Sequence, residues 1–369
     1  MRSPSRSPDV IWDVTYACPL RCTYCYSESG RRASRQLGLA DMLRVADALI
    51  SLRPPSVQLS GGEPLLVKGL FQVAERFHAA GIPVALYTSG WLLEPEMIPE
   101  MLRLFAQIHV SVDGATARIH ESIRGRPGSF DRAMRALTLL NDAAREERER
   151  TGRSIMLGVD CVVVQSNFQQ LEAFCRELVP RFPEVKFVFF GAAIPAGLGN
   201  RQGFADRELL TDEQLHHLTS PNTLKHLRSL LPASVRLRMT DGRWLQMHPE
   251  DVARDRAARY LMQIEPDGDV RGMAVYEGTV GNLLEEPAQV LWERVFERPE
   301  DPFVVELLRP VRTRKEWAQA ARRIDYHFGS EEVRARIDQR PDYPAPRPPI
   351  TRIDPPASWE KKPDHPQLP

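Results

Sequence analysis

The amino-acid sequence predicts an α/β fold in which a parallel sheet with outer helices closes, fully or partly, into a barrel. Short apolar runs alternate with longer amphipathic stretches from residue 11 to about 195, giving six strand–helix units in succession. Each apolar run ends in a polar or glycine-rich segment. After residue 200 the alternation stops, and a smaller α+β region is expected to follow.

The six predicted strands are short, apolar and rich in β-branched and aromatic residues, as buried strands are. They lie at 11–17, 56–62, 83–90, 107–114, 155–164 and 185–194. The segments between most of them carry apolar residues at helical spacing and meet glycine or proline where helices stop. These predicted helices lie at 39–52, 66–81, 95–105, about 130–150 and 167–178.

The C-terminal half has its own signals. Thr211 is a predicted helix N-cap, with Glu213 and Gln214 at the capping-box positions. Strands are predicted at 234–242 and 260–278, the second as two arms joined by the Asp-Gly turn of "PDGDV". Proline density prevents helix or central strand in the last stretch. The predicted divisions are a lead at 1–10, the barrel at 11–200, an extension at 201–330 and a Pro-rich tail at 331–369.

Charge and hydropathy limit the partners. The 369-residue chain has 49 basic and 49 acidic residues, so no overall field attracts nucleic acid or anionic lipid. No apolar run approaches membrane-spanning length, and the N-terminus has no apolar signal region. A cytoplasmic protein without a nucleic-acid or membrane partner is expected. In a reducing compartment, clustered cysteines bind metal more often than they form disulfides.

The polar ends of the six predicted strands occupy the same place in each unit. They read "CPLRCTYC", "SGGEP", "TSG", "SVDG", "QSN" and "PAGLGN". In a parallel α/β sheet, function gathers at the carboxyl ends of the strands. All six segments are therefore expected to surround one mouth of the barrel.

Three of the five cysteines, Cys18, Cys22 and Cys25, fall in the first of these segments. A CxxxCxxC loop can converge on one metal centre, but a structural zinc site or an ordinary iron–sulfur cluster takes four protein ligands. A [4Fe–4S] cube held by three thiolates leaves one iron free for another ligand. Zinc is the competing interpretation, although the nearest histidine in sequence is His78; a purely structural role for the thiols is a further alternative.

Four motifs in order resemble the radical S-adenosylmethionine (SAM) enzymes. They are "CPLRCTYC" with the aromatic Tyr24, "LSGGEP" at 59–64, "YTSG" at 87–90 and "VSVDGATARIHESIRGRPGSFD" at 110–131. The last is similar to the fourth-strand segment of the branch that includes peptide-modifying maturases. In "YTSG", Ser89 stands where the family more often has asparagine.

The resemblance implies an enzyme with one [4Fe–4S] cluster on Cys18, Cys22 and Cys25. SAM would chelate the free iron and be cleaved reductively to a 5′-deoxyadenosyl radical. The residues carried over as cofactor contacts are Tyr24, Gly61, Gly62, Glu63, Ser89, Ser111, Asp113 and Arg124. Elementary chemistry agrees for several of them: the glycines permit close backbone approach, Glu63 can accept from an ammonium, and a Ser–Arg pair suits a carboxylate. The "DG" at Asp113 also fits a simple turn.

Alternation along the fifth strand places Asp160 and Cys161 on opposite faces. If Asp160 faces the lumen, it is a candidate catalytic residue or one member of an internal salt bridge. Cys161 would then pack under a helix as a buried thiol. The alternative is that Cys161, or in second place Cys175 on an outer helix, donates hydrogen to a substrate radical, as a cysteine does in some peptide epimerases of this superfamily.

The region "MQIEPDGDVRGMAVYEGTVGNLLEEPAQVLWERV" resembles the SPASM or twitch extension of the same branch, including the helix with Trp292. In that branch, cysteines here bind auxiliary clusters, but no cysteine follows Cys175, and Met273 stands about where one would fall. One cluster favours redox-neutral outcomes such as epimerisation, rearrangement or decarboxylation, or SAM-consuming hydrogen transfer; an external electron acceptor stays open.

Two substrate classes remain open on the sequence. The first is a peptide, modified by epimerisation or crosslinking; the second is a small molecule such as a sugar, nucleoside or amino-acid derivative. An external electron donor such as flavodoxin or ferredoxin is expected with either. A non-catalytic cluster- or SAM-binding protein is the minor alternative.

Overall fold

The sheet has ten strands in the described part of the chain, residues 6–254 and 260–343 of a computed structural model. They are β1 Asp9–Asp13, β2 Val57–Ser60, β3 Val84–Thr88, β4 Gln107–Ser111, β5 Met156–Val163, β6 Val185–Ala192, β7 Arg236–Thr240, β8 Leu261–Ile264, β9 Asp269–Arg271 and β10 Thr279–Asn282. Their order is β10-β9-β8-β1-β2-β3-β4-β5-β6-β7. The strands β1 to β7 run parallel, which is the predicted parallel sheet.

Fourteen α-helices are present in the described part of the chain, and many of them pack on the outer face of this sheet. They are α1 Leu39–Ser51, α2 Leu70–Ala79, α3 Ile98–Leu104, α4 Ala117–Arg124, α5 Ser129–Thr151, α6 Leu171–Ala173, α7 Gln202–Arg207, α8 Asp212–Thr219, α9 Pro221–Ser229, α10 Pro249–Arg254, α11 Ala288–Glu297, α12 Pro302–Leu308, α13 Arg314–Phe328 and α14 Glu331–Asp338. The apolar stripe of α1 shows the packing principle, because Met42, Val45, Ala46 and Leu49 are its buried residues and follow helical spacing. None of the helices in the described ranges is both long and apolar enough to cross a lipid bilayer.

The main core lies between the strands and the helices. Residues on the outward face of the strands, such as Val10, Leu59 and Val159, are fully buried in it. Residues that alternate with them, such as Gln58 and Asp160, point to the other face and are only partly buried. The barrel lumen therefore keeps polar side chains, whereas the helix side is dry.

The C-terminal strands extend the same sheet at both ends. The strand β7 pairs with β6, while β8 lies parallel to β1 with Trp12 opposite Ile264. The predicted two-armed segment is the antiparallel pair β8 and β9, with Gly268 in the left-handed region at the turn. The extension thus adds strands to both edges of the sheet instead of forming a separate layer, a feature that the sequence did not predict.

Two helical predictions differ from the structure. The segment 167–178 is broken into a 3₁₀ turn, the three-residue α6 and a π turn, and it ends in a second 3₁₀ turn that contains Pro180, which has no N–H to continue a helix. The predicted tail at 331–369 begins instead with the helix α14, whose N-cap Ser330 accepts from the Val333 N–H. The rest of that predicted tail beyond residue 343 and the lead residues 1–5 lie outside the described residues.

A buried ion network joins β9 to α14. Arg271 is fully buried and lies 3.1 Å from Glu265 and 3.8 Å from Glu277, and Glu277 lies 2.9 Å from Arg336. Burial alone would raise the pKa of Glu277, but Arg271, Arg336 and Arg32 lower it to about 2. Charge attraction holds the network together. Removing one partner would leave the other charged side chains buried without a counter-charge.

The Glu277→Gln substitution is expected to lower the free energy of unfolding by about 3 kcal/mol, measured by urea denaturation, because Arg271 loses a buried counter-charge. A carboxylate whose pKa is lowered in the folded protein stabilises the fold at pH values above its ordinary pKa of 4.5. This stabilisation is lost as the pH falls towards 2. The difference from wild type should therefore be constant above about pH 5 and shrink below it. Glu75→Gln is the matched control: solvent screens its half-exposed pair with Arg103, so the free energy of unfolding should hardly change. Equal losses in the two variants would contradict the assignment.

Candidate active site at the mouth of the barrel

The three clustered cysteines lie on the loop after β1, and each is partly buried and free of disulfide bonding. The Leu20 N–H points to Cys18 Sγ at 3.4 Å, and Arg124 Nη1 points to Cys22 Sγ at 3.7 Å. Burial raises the pKa of Cys18 to about 12 and that of Cys22 to about 11, with neighbouring thiols adding to the rise. Thiolates at this place need positive charge close to them, which a metal centre supplies.

The three thiols do not converge on one point in the structure. Among the described residues, only Glu265, Asp267 and Asp269 bring three metal-ligand atoms within 4.8 Å of one another, and the cysteines do not. Ligands of one zinc ion must converge on one point, whereas each thiolate of a cube extends from its own iron. Each carboxylate of the acidic trio already pairs with Arg35, whose guanidinium contacts Asp267 and lies 2.6 Å from Glu265 and 3.2 Å from Asp269.

The loop after β2 packs directly on the cysteine loop. The Gly62 N–H donates to Thr15 O at 2.7 Å and the Glu63 N–H to Ala17 O at 2.9 Å. A Cβ on Gly62 would lie 2.1 Å from Ala17 O, and Gly61 has a φ of +117° with its Cβ position 2.5 Å from Thr15 O. Both glycines are therefore required for backbone to meet backbone. Their contact with a cofactor stays a prediction.

Glu63 ties this loop to the end of β3. Its Oε1 accepts from Thr88 Oγ1 at 2.7 Å and from the Leu65 N–H at 3.2 Å; its Oε2 accepts from the Ser89 N–H at 2.9 Å and from the Ser89 hydroxyl. A carboxylate offers about four lone-pair positions, so these bonds use its capacity. Glu63 is fully buried. In this arrangement Glu63 and Ser89 join the loops after β2 and β3 at the mouth. An ammonium group bound by Glu63, as predicted, would have to share the carboxylate with these donors or replace one of them.

Asp113 organises two other predicted site residues, Tyr24 and Arg124. Its carboxylate accepts from Tyr24 OH at 2.6 Å and from the Val162 N–H at 2.9 Å, and lies 2.6 Å from Arg124 Nε. Burial would lower the pKa of Arg124, but Asp113, Tyr24 and Cys22 raise it well above its ordinary value. Arg124 therefore stays charged beside the cysteines. Asp113 is fully buried and positions this guanidinium, which is more than the turn role that its "DG" sequence allows.

Two residues that the sequence did not single out complete this network. The Asp113 N–H donates to His120 Nδ1 at 3.1 Å, and burial with the nearby Arg124 charge holds the pKa of His120 well below its ordinary value. Asn167 donates to Asp113 O and to Val162 O, both at 2.9 Å. The "QSN" segment was predicted to lie at the mouth, but neither its asparagine nor the histidine carried a signal for this contact.

Comparison with known proteins identifies the family of this region. Residues 12–159 match the family described as the radical SAM superfamily. These residues form a radical SAM domain. Mycofactocin maturase MftC of Mycolicibacterium smegmatis is 30% identical over 166 residues, 45% of this chain and 40% of that maturase, so the chain spans about two fifths of this relative's length. Fe-coproporphyrin III synthase of Methanosarcina barkeri is 26% identical over 314 residues, 79% of this chain and 74% of that synthase.

The solved structures agree on the fold of the radical SAM domain and of the region C-terminal to it. SuiB of Streptococcus suis, bound to its precursor peptide SuiA, superposes with a TM-score of 0.60 at 15% identity, over 84% of this chain and 68% of SuiB. At this identity the likeness shows a shared fold. The parallel sheet with a C-terminal extension is thereby confirmed, whereas its assignment as a SPASM or twitch extension stays a prediction.

Radical SAM domains are enzyme domains that use a [4Fe–4S] cluster and SAM, and the residues present fit both cofactors. Three partly buried thiols with no sulfur–sulfur bond lie on the loop at the mouth. Arg124, beside them, is a charged donor suited to a carboxylate. Met273, the position predicted from the resemblance for an auxiliary-cluster ligand, is 2% exposed and packs in an apolar cluster.

Below the mouth, several polar side chains of β4 and β5 lie in the lumen of the radical SAM domain. Ser111 lies opposite Asp160 in the register of these strands. The Asp160 carboxylate lies 3.0 Å from His109 Nδ1, and His109 stacks on Tyr87 with ring centroids 4.0 Å apart. Asp160 thus faces the lumen and has a partner. The partner was not foreseen, because His109 lies 51 positions away in an apolar run.

Cys161 and Cys175 lie on the other side of the sheet. Cys161 is 2% exposed and Cys175 is fully buried, both within the main core. Burial raises the pKa of Cys161 well above its ordinary value and that of Cys175 to about 12. Neither thiol reaches the lumen in this conformation. The position favours the packing role for Cys161 over the hydrogen-donor alternative.

Proposed function

We propose that this protein is a radical SAM enzyme that cleaves SAM reductively and abstracts hydrogen from a substrate carbon. The observation that carries the proposal is the placement of Cys22, Arg124 and Asp113 in one contact series at the mouth of a barrel whose lumen is polar. A [4Fe–4S] cluster with SAM supplies, on reduction, the radical that abstracts hydrogen. The chain's own residues hold, orient and enclose the reacting groups.

Each site residue receives a role in this proposal. Cys18, Cys22 and Cys25 are the cluster ligands. Arg124 and Ser111 would hold the carboxylate of SAM, and the backbone of 61–63 would face its amine. Asp113 and Tyr24 act as positioning residues, since both contact the Arg124 side chain and are hydrogen-bonded to each other. Asp160 is assigned to the substrate side because its carboxylate lies in the lumen with His109.

The first candidate substrate is a peptide, modified by epimerisation or crosslinking. Mycofactocin maturase aligns with the radical SAM domain, and SuiB, which shares the fold, was solved with a precursor peptide. Within this chain no cysteine follows Cys175, so a net two-electron oxidation would lack an internal cluster to receive electrons. A redox-neutral change such as epimerisation does not need such an electron acceptor.

The second candidate is a small molecule with several carboxylates, and two observations favour it. Fe-coproporphyrin III synthase aligns over 79% of the chain, far beyond the radical SAM domain. Arg236 and Arg238 are exposed on β7, on the face opposite the core-packed Leu237 and Met239. Arg238 pairs in register with Phe189 of β6, so these cations border the lumen. Guanidinium groups in such a place suit carboxylates.

Anaerobic reconstitution tests the reaction. Cluster-loaded protein reduced with dithionite is expected to release 5′-deoxyadenosine from SAM, with about four irons per chain for one cluster. Loaded protein that releases none would contradict the enzyme assignment, and about eight irons would contradict a single cluster. Short peptides and iron tetrapyrroles with several carboxylates are then compared as substrates. The substrate class is the one that raises 5′-deoxyadenosine release and is converted, as detected by a change in mass or, for epimerisation, by chiral amino-acid analysis and uptake of one deuterium from D2O.

A further inference from the structure

Arginine side chains enclose the backbone of the cysteine loop. Arg21 Nη1 donates to Cys18 O at 2.9 Å and to Leu20 O at 2.7 Å. Arg31 donates to Arg21 O at 2.6 Å and to Cys22 O at 3.3 Å. Gly30 leaves room for this packing, because a Cβ there would lie 2.3 Å from Arg21 Nη1.

Two arginines from other elements complete the set. Arg126, just after α4, donates to Pro19 O at 2.6 Å and lies over the ring of Trp91 at 3.9 Å. Arg201, just before α7, donates to Thr23 O at 2.8 Å. Residues 18–23 thus present carbonyl oxygens to four guanidinium groups. We call Arg21, Arg31, Arg126 and Arg201 the arginine face.

The charge of the arginine face is not neutralised. Within the described ranges, none of its four side chains lies within ion-pair distance of a carboxylate. Glu28 is the only acidic residue between positions 18 and 36, and it is 3% exposed and bound by Arg336 and Arg340. Burial lowers the pKa of Arg201, and the neighbouring charge of Arg31 lowers it further, as expected for crowded cations. A chain of zero net charge therefore has a concentrated positive region here.

This region is also accessible. Arg21 and Arg31 are exposed, and Arg126 and Trp91 are partly exposed. Arginine and tryptophan are enriched at protein–protein contact surfaces, and an unbalanced positive patch attracts acidic partners over long range. A radical SAM enzyme must receive an electron at the cluster held by this loop, so its reductant has to come close to these residues.

We propose that the arginine face docks an acidic one-electron donor protein of the flavodoxin or ferredoxin type. The inference rests on the proposed function, and it assigns the partner's contact surface to Arg21, Arg31, Arg126 and Arg201. The charges steer the partner to the cysteine loop, and Trp91 adds an apolar contact beside Arg126. One electron passes from the reduced donor to the cluster, and the donor leaves in its oxidised form.

Arg31→Gln combined with Arg126→Gln tests docking, because glutamine can still donate to a loop carbonyl while removing the charge. With dithionite, 5′-deoxyadenosine release should stay within about twofold of wild type, since a small reductant needs no docking surface. With reduced flavodoxin at low salt, the rate should fall about tenfold and lose most of its salt dependence. Lysine at both positions should restore most of the rate. Arg103→Gln, on the half-exposed outer face of α3, is the matched control and should change neither rate.

Titration of oxidised flavodoxin against the loaded enzyme gives a readout that does not depend on catalysis. Weaker binding by the double glutamine variant, with wild-type affinity in Arg103→Gln, supports docking. Equal affinity in all variants, or equal losses with both reductants, overturns it. The midpoint potential of the cluster, measured by electron paramagnetic resonance, must also be unchanged; a lowered potential that accounts for the slower rate would overturn docking. Absence of 5′-deoxyadenosine with dithionite in wild type would instead contradict the proposed function, while the titration would still test the surface.

Discussion

Replacement of Cys22 by alanine is expected to abolish cluster binding and SAM cleavage together. Cys22 lies between the other two cysteines on the loop and receives the Arg124 guanidinium at its sulfur. Two thiolates cannot hold a cube that already depends on three, and without the cluster there is no reductant for SAM. Iron content should fall from about four per chain to below one, and 5′-deoxyadenosine release by at least about a hundredfold.

Cys161→Ala is the matched control for this loss. It removes the same side chain from the core side of β5, so it should keep full iron content and SAM cleavage. The missing sulfur leaves a small cavity, and the free energy of unfolding should fall by about 1 kcal/mol. Loss of cleavage in Cys161→Ala would show that the outward face of β5 communicates with the site. Cleavage without product formation would restore Cys161 as the hydrogen donor.

The barrel was predictable because its signals are local. Each strand contributes an apolar run of a few residues. Buried and less buried side chains alternate along β2, and along β5 from Val159 onward. Parallel strands with their connecting helices must bring all carboxyl ends to one edge, so the meeting of "SGGEP" with the cysteine loop follows from topology. The helix α4, by contrast, is only eight residues long with Gly125 as its C-cap, and it was not predicted.

The contacts that give the site its character are long-range, and the sequence alone did not predict them. Tyr24 and Asp113 are 89 positions apart, and their 2.6 Å hydrogen bond depends on how two loops are stacked. Gly62 could be read as space for a ligand, yet its missing Cβ first makes room for Ala17 O. The pairing of Trp12 with Ile264 was equally unpredictable, since nothing in either strand specifies which edge the C-terminal hairpin joins.

Arg124→Met is expected to reduce both stability and SAM binding, for different reasons. The variant leaves the Asp113 carboxylate fully buried without its counter-charge, which should lower the free energy of unfolding by about 3 kcal/mol. If Arg124 also holds the carboxylate of SAM, the dissociation constant for SAM should rise by about tenfold or more, as for loss of a charged hydrogen bond. Urea denaturation and equilibrium titration of SAM onto loaded protein measure the two effects separately.

A second substitution separates these two roles of Arg124. In Arg124→Met with Asp113→Asn, no unpaired charge remains, and the asparagine oxygen can still accept from the Val162 N–H while its amide donates to Tyr24 OH. Most of the lost stability should return, because buried ion pairs can be replaced by neutral groups at little cost. SAM affinity should not return, since the guanidinium is still missing. Recovery of both would mean that Arg124 serves only to neutralise Asp113, and that the carboxylate of SAM is held by other residues of the mouth.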